Sequence, residues 1–265
     1  NNLRFTTFVI TFFCFLFAGS SGNAQIFNWG KQFPMTYAGF GPYIQVDDSS
    51  LIIGGTLFGN LSLDSTVIRN NSFDPYSFIA RQDPDRNIKW AHLFDGPADN
   101  YLYESALDTK GNIIVGGSYE GQINIVDTML MADEDFMTSM GCPYCYRGNE
   151  AYITKVDRQG EILWARTFYG LDNQMVEKVK VDSHDNPIIV ATCSHVFKIE
   201  NSIYWTADTS PYKDKPFIYL LKYSPDGKLI WVYGFDSQSR IMDILLDAQN
   251  NIYLIFSRDM VTSNI

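Results

Sequence analysis

Two cysteines separated by two residues, Cys142-Pro143-Tyr144-Cys145, are the sharpest chemical signal in the sequence. At that spacing one thiolate can attack a disulfide while the other resolves it, both can bind a metal, or the pair can close on itself. Redox chemistry needs the pair at the start of a helix that follows a strand. Here Gly141 and Gly148 flank it in a loop-like stretch. In an exported chain a disulfide between Cys142 and Cys145 is the favoured reading, with metal binding and free thiols as alternatives. Cys193 and His195 would complete a zinc set of three Cys and one His, although a buried strand thiol is the plainer reading of Cys193. Asp133-Glu134-Asp135 could attract Ca2+, but the run lacks the alternating ligands of a calcium loop and reads as a solvated segment. Beyond these Ca2+ and Zn2+ possibilities no cofactor is expected.

His92, His184 and His195 stand beside no nucleophile in a recognisable motif, and no catalytic residue is assigned. Asp95, Asp99 and Glu104 could supply carboxylates for glycoside hydrolysis, but the sequence does not pair them. Tyr144, Tyr146, Trp205 and Tyr212 are the candidate ligand-binding residues: loop aromatics that could stack on sugars or grip a partner, or else pack the loops onto the scaffold.

The elements that must position these residues come from an internal repeat. Phe78 to Trp90, Tyr152 to Trp164 and Tyr219 to Trp231 each run from an aromatic to a Trp over equal lengths, with Arg81, Lys155 and Lys222 at the fourth position. An apolar run, a polar turn and a second apolar run predict a hairpin. Each Trp is followed at an even spacing by a Phe, in the pairs Trp29 and Phe33, Trp90 and Phe94, Trp164 and Phe168, and Trp231 and Phe235. That spacing puts both side chains on one face of a strand. A second block carries an Asp-led turn at Asp47, Asp108, Asp182 and Asp247. The interval from Trp29 to Trp90 equals that from Asp47 to Asp108, and the next interval is again shared, so the two series move together.

Four strands per period, A to D, describe an antiparallel blade. The sequence therefore predicts an all-β fold, a β-propeller of four-stranded antiparallel blades forming an incomplete ring. In the third copy A runs near Val176 to Val181, B near Ile188 to Cys193, C near Phe217 to Tyr223 and D near Leu229 to Phe235. A β-sandwich with chance similarity is the alternative, but sandwiches do not repeat one hairpin in fixed register. Ile26 to Phe33 reads as a lone D strand, and the sequence stops within a fourth copy. Residues 25–265 thus read as about three and a half blades of a C-terminally truncated propeller, against the roughly 4 to 8 of a ring. The A–B and C–D turns are short and share one face; the B–C segments are long and lie on the other. Within them Leu61 to Ile68, Ile123 to Leu130 and Phe197 to Tyr204 repeat as small accessory hairpins, which makes Tyr204 a structural residue.

Residues 1–24 read as a signal peptide. Arg4 precedes an apolar run from Phe5 to Ala18, and Gly22 and Ala24 suit cleavage before Gln25. The run is shorter than the roughly 20 residues that span a bilayer. The chain carries a net charge of -10 and shows no basic patch, so nucleic acid is excluded as a partner. Its 19 Phe, 16 Tyr and 5 Trp suit a β-rich protein.

These blocks resemble the secreted β-propeller repeat family of bacteria, including Bacteroidetes. The residues that carry the resemblance are Tyr152, Lys155, Asp157, Gly160 and Trp164 in the hairpin, the Trp-Ala steps Trp90-Ala91 and Trp164-Ala165, and the turn Asp108, Gly111, Asn112. Trp29-Gly30, Trp231-Val232 and Ile255-Phe256 depart from it. The resemblance implies an exported or outer-surface protein that meets the export machinery. With the loop aromatics it points to a binding, adhesion or structural module for an extracellular glycan or protein. The alternative is an extracellular propeller enzyme, a glycosidase or quinoprotein. Asp157 to Trp164 approaches a quinoprotein docking motif and Ser224 to Trp231 the sialidase Asp box, but both have the wrong spacing and read as C–D turns.

Overall fold

A computed structural model of the chain describes residues 39–257 apart from 48–49, 64–65, 70–73, 86, 134–147, 171–172, 194–195, 206–216 and 237–240. The described residues form an all-β protein without helices, built of small antiparallel sheets, none of which closes on itself. The first repeat holds β1 (Gly39–Asp47), β2 (Ser50–Leu57), the short β3 (Leu61–Leu63) and β4 (Thr66–Ile68), then β5 (Tyr76–Gln82) and β6 (Ile88–Asp95). The second holds β7 (Asn100–Leu107), β8 (Ile113–Tyr119), β9 (Gln122–Ile125), β10 (Thr128–Met131), β11 (Glu150–Val156) and β12 (Ile162–Gly170). The third holds β13 (Gln174–Val181), β14 (Pro187–Cys193), β15 (Val196–Ile199), β16 (Ser202–Trp205), β17 (Phe217–Tyr223) and β18 (Leu229–Asp236), and β19 (Ile241–Leu246) and β20 (Ile252–Phe256) begin a fourth. The A to D strands predicted for the third copy all form, within two residues of the expected limits. The expected leader and the Ile26 to Phe33 strand lie outside the described residues.

All three accessory hairpins form, in the register Leu61↔Ile68, Ile123↔Leu130 and Phe197↔Tyr204. The sequence did not disclose where they dock. β9 pairs with β6 of the preceding repeat through Phe94↔Ile125 and Asp95↔Asn124. β15 does the same with β12 through Phe168↔Ile199, Tyr169↔Lys198 and Gly170↔Phe197. The first sheet is therefore ordered β1-β2-β5-β6-β9-β10 and the second β7-β8-β11-β12-β15-β16, each completed by a hairpin from the repeat that follows.

Successive sheets stack face to face, and the cores lie between them. Ile52, Ile79 and Phe94 of the first sheet pack with Ile113, Val115 and Tyr152 of the second, and the hairpin residues Ile123 and Ile125 join them. Ile153, Trp164 and Phe168 of the second pack with Val176, Val179 and Ile189 of the third. Val190, Ile218 and Leu220 of the third meet Ile241 and Ile244. With a neighbour on both faces, β2, β8, β11 and β14 are buried along their whole length. These strands accordingly read as continuous apolar runs rather than alternating ones. Each fully buried Ile, Val or Phe side chain contributes about 1.5–3 kcal/mol.

The turns share one design. Asp108, Asp157, Asp182 and Asp247 each accept from the backbone N–H groups two and four residues on, as in Asp108 with Lys110 and Asn112, both at 2.9 Å. Three residues after the turn-leading side chain, Gly111, Gly160, Asp185, Gly227 and Asn250 take positive φ, the conformation that Gly, Asn and Asp adopt most readily. The repeated basic residue of the C strand reaches back to the turn Asp of its own sheet. Arg81 pairs with Asp47, Lys155 with Asp108 at 2.8 Å and Lys222 with Asp182 at 2.7 Å.

Other contacts clasp neighbouring sheets together. Trp90 Nε1 donates to Arg158 O at 2.9 Å and Trp164 Nε1 to Pro225 O at 3.0 Å, so each indole caps the C–D turn of the next sheet. Gly160 and Gly227 lie so close beneath these rings that a Cβ on Gly227 would stand 2.6 Å from Trp164 Cδ2. The A–B turns join as well: Thr109 N and Oγ1 donate to Asp185, and Ser183 N donates to Asn250 Oδ1.

Burial pushes the Asp182 carboxyl up, but the Lys222 ammonium and the Asn186 side chain and backbone outweigh it and hold it at about 2. A carboxylate depressed in the folded state stabilises fully above its unfolded value of about 3.9, and that contribution is lost as pH falls through the folded value. The chain should therefore lose stability between about pH 4 and pH 2. Urea unfolding at pH 5 and pH 2.5 checks this: Asp182→Asn is expected to be less stable than the parent at pH 5 and to lose less on acidification.

Candidate functional site

The first strand of every repeat carries the same irregularity. Its register with the second strand slips between Phe40 and Tyr43, Leu102 and Glu104, Val176 and Lys178, and Ile241 and Asp243. A bulge bends its strand and re-aims a side chain, and bulges concentrate beside functional sites. Here Tyr103, Glu177 and Met242 occupy the extra position, followed by Glu104, Lys178 and Asp243. In β7 and β13 these are the fourth and fifth of eight residues, so Tyr103, Glu104, Glu177 and Lys178 stand midway along their strands.

β7 lies between β1 and β13, and β13 against β19, so the bulges of adjacent repeats are neighbours. Lys178 Nζ stands 3.8 Å from Glu104 Oε2, across the gap between the second and third sheets. Tyr103 stacks on Tyr101, with ring centroids 6.0 Å apart and planes 13° from parallel. The Tyr103 hydroxyl shares a hydrogen bond with Ser118 Oγ at 3.2 Å. Burial raises its ionisation above the ordinary phenol range, against the Ser118 hydrogen bond, and the nearby Glu177 charge raises it further. Glu177 Oε1 accepts from Thr192 Oγ1 at 3.2 Å, and Gln45 Nε2 donates to Ser105 O at 3.1 Å, tying β1 to β7. Tyr101 donates to Asp99 Oδ2 at 3.0 Å, and burial followed by that contact pushes it up to about 12. The result is a half-buried strip of neutral phenols, three carboxylates and one ammonium. Such a set offers acceptors and donors to hydroxyl groups and aromatic faces to C–H surfaces.

Of the residues singled out from sequence, Glu104 belongs to this strip and Asp99 borders it through Tyr101. Tyr144, Tyr146, Tyr212, Cys142, Cys145, His195, Glu134 and Asp135 lie outside the described residues. Trp205 ends β16, its backbone opposite Val196. Tyr204 is packed edge-on against Tyr219, a structural position. Cys193 is fully buried in the core between the second and third sheets, and burial holds its thiol well above the ordinary range, so it is inert as a nucleophile. Asp133 pairs with Lys198 of β15. His92 stacks on Trp90 at 5.0 Å and bonds Gly160 O at 2.8 Å, as part of the clasp. Asp95, Asp99 and Glu104 do not come together. Asp95 accepts from Asn124, Asp99 from Tyr101, and Glu104 faces Lys178. The two stretches that approach enzyme motifs are C–D turns, closed by Asp157 and by Ser224.

Sequence reasoning missed Tyr103, Glu104, Glu177 and Lys178 as a set. A signal was present: Val176 is out of phase with Val179 and Val181, and that slip in the alternation is the bulge. No protein-family model matches the chain, and no curated protein matches it.

Proposed function

We propose that the sheets are successive blades of a β-propeller whose first strands line the axis. On this reading the protein is an exported or surface-displayed binding module of the secreted propeller repeat family. It takes a hydroxyl-rich extracellular ligand, a glycan, at the mouth between the bulged first strands. The ring reading is supported by face-to-face sheets, by turns clasped at one end and by first strands that neighbour one another. The single observation that carries the binding reading is the bulge repeated in all four first strands, with Tyr103, Glu104, Glu177 and Lys178 at or beside it midway along β7 and β13. Conservation of the bulge across repeats whose side chains differ is the behaviour of a scaffold feature used to present a variable surface.

The experiment is a glycan array followed by calorimetry on the strongest binder. Binding without turnover is expected, and Glu177→Gln should weaken it about tenfold or more, the value of one hydrogen bond to a charged group. Trp205→Ala tests whether the long-loop face shares the ligand. No binding across the array, or full affinity in Glu177→Gln, would remove this reading; hydrolysis of a bound glycan would replace it with an enzyme.

A further inference from the structure

The face of the first sheet that turns away from the second sheet carries an apolar core of its own. Ile53, Phe78 and Ala80 alternate with the Ile52 and Ile79 that meet the second sheet, and Leu57, Leu61, Leu63 and Ile68 join them. Among the described residues this core draws only on the first sheet and the β3–β4 hairpin. The face is nonetheless covered, with Ile53 8% exposed, Phe78 6% and Ala80 0%. A bare sheet face in this protein looks different. In the fourth repeat Leu245, Tyr253 and Ile255 alternate with residues packed on the third sheet, and they are 48%, 53% and 45% exposed. The buried outer face of the first sheet therefore calls for a further element against it. The β3 strand calls for one too. Its counterparts β9 and β15 each pair with the last strand of the preceding repeat, whereas among the described residues β3 pairs with β4 alone.

The sequence before β1 holds a strand of the required kind at the required distance. Trp29 and Phe33 repeat the spacing of Trp90 and Phe94 in β6 and of Trp164 and Phe168 in β12. Trp29 precedes Gly39, the first residue of β1, by the same interval as Trp90 precedes Asn100 of β7 and Trp164 precedes Gln174 of β13. The intervals from Phe94 to Ile125 and from Phe168 to Ile199, the pairs that dock the two hairpins, are equal. Phe33 to Leu63 is one residue shorter, and the A–B turn accounts for that residue. Asp47 to Leu51 is one shorter than Asp108 to Ile113, where Leu51 and Ile113 are matched by their pairing with Val46 and Leu107. Leu63 is thus the counterpart of Ile125 and Ile199, and Pro34 that of Asp95. Asp95 makes the last pair of its ladder, a position at which a residue without an N–H is tolerated.

We propose that residues 27–34 form a strand against the outer face of the first sheet and receive the β3–β4 hairpin antiparallel, in the register Phe33↔Leu63 and Pro34↔Ser62. Phe33 then takes the place that Phe94 and Phe168 hold in the other two cores, and the Trp29 indole caps the C–D turn of the first sheet at Pro84, as Trp90 and Trp164 cap theirs at Arg158 and Pro225. This rests on the repeat of strands and hairpins and not on the binding reading, so either can fail without the other.

Disulfide trapping tests it on the 265-residue chain. Pro34→Cys with Ser62→Cys should form an intramolecular disulfide under mild oxidation, mapped by mass spectrometry of the linked peptides. Pro34→Cys with Leu63→Cys should not, because a one-residue shift puts the second thiol on the opposite face. Equal trapping of both pairs, or of neither, overturns the register; a link between two chains overturns the intramolecular assignment and makes a second copy the occupant. Hydrogen exchange on the parent needs no cysteine. The amides of β3 that do not face β4 should be protected like those of β9 and β15. Exchange as fast as that of the outward amides of β10, the edge of its sheet, overturns the proposal.

Discussion

Replacing Lys155 by Met is expected to lower stability by about 3–5 kcal/mol, the cost of leaving a buried charge without its partner. At the size of this chain that is a fall in thermal midpoint of about 6–20 °C. The Lys155 side chain is 3% exposed and that of Asp108 is wholly buried. Nζ also donates to Pro225 O of the next sheet at 3.2 Å. Met keeps the length and apolar stem of Lys but removes the cation, so the Asp108 carboxylate stays buried with only its turn donors. Adding Asp108→Asn removes the stranded charge, and the double variant should recover part of the loss. Thermal unfolding followed by circular dichroism reads both. A loss below about 1 kcal/mol for the single variant would place the pair in the class of exposed ion pairs, against its burial.

Trp164→Ala should have a comparable effect, about 3–5 kcal/mol, for removing a large core side chain. The indole is 8% exposed, stacks on Tyr223 at 6.2 Å and lies under the Arg166 guanidinium at 5.8 Å, besides its hydrogen bond to Pro225 O. Trp90 makes the equivalent hydrogen bond from a more open position, so Trp90→Ala should cost distinctly less. Gly227 supplies a cross-check. Gly227→Ala in the parent meets both a positive φ of 77° and the Trp164 ring. In the Trp164→Ala background the ring is gone, leaving only the backbone cost of about 1–2 kcal/mol. The two substitutions should therefore be far from additive, and additivity would mean that the clasp is not a contact that matters to stability.

These residues also mark how much of the structure was legible beforehand. The turn Asp, the basic C-strand residue and the Trp were all visible as a repeat, because a repeat needs no knowledge of partners. That Lys155 meets Asp108 was not visible: the contact crosses the intervening B strand, and nothing local links a turn to a strand so far along the chain. The hairpin Ile123 to Leu130 was readable because it repeats at Leu61 to Ile68 and at Phe197 to Tyr204. Its docking on Phe94 was not, since the receiving edge belongs to another repeat and backbone hydrogen bonds leave little trace in side-chain type. The candidate site was the least legible part. Loop aromatics attract notice by composition, whereas Tyr103 and Glu177 matter through a bulge, which shows only as a slip in phase between Val176 and Val179.

The ring itself is tested most directly by distance. Lys89, Leu163 and Ile230 precede the three Trp residues and are exposed at equivalent places in successive sheets. Spin labels placed pairwise at these sites give two one-step distances and one two-step distance by pulsed dipolar spectroscopy. In a closed propeller the ratio of the two-step distance to the mean one-step distance is about 1.4 for four blades and rises to about 1.85 for eight, whereas a straight stack of sheets gives about 2. A ratio between about 1.4 and 1.85 is the expected result, and its value would also fix the blade number. A ratio of about 2 would contradict the propeller and, with it, the axial mouth in which Tyr103, Glu104, Glu177 and Lys178 are proposed to bind.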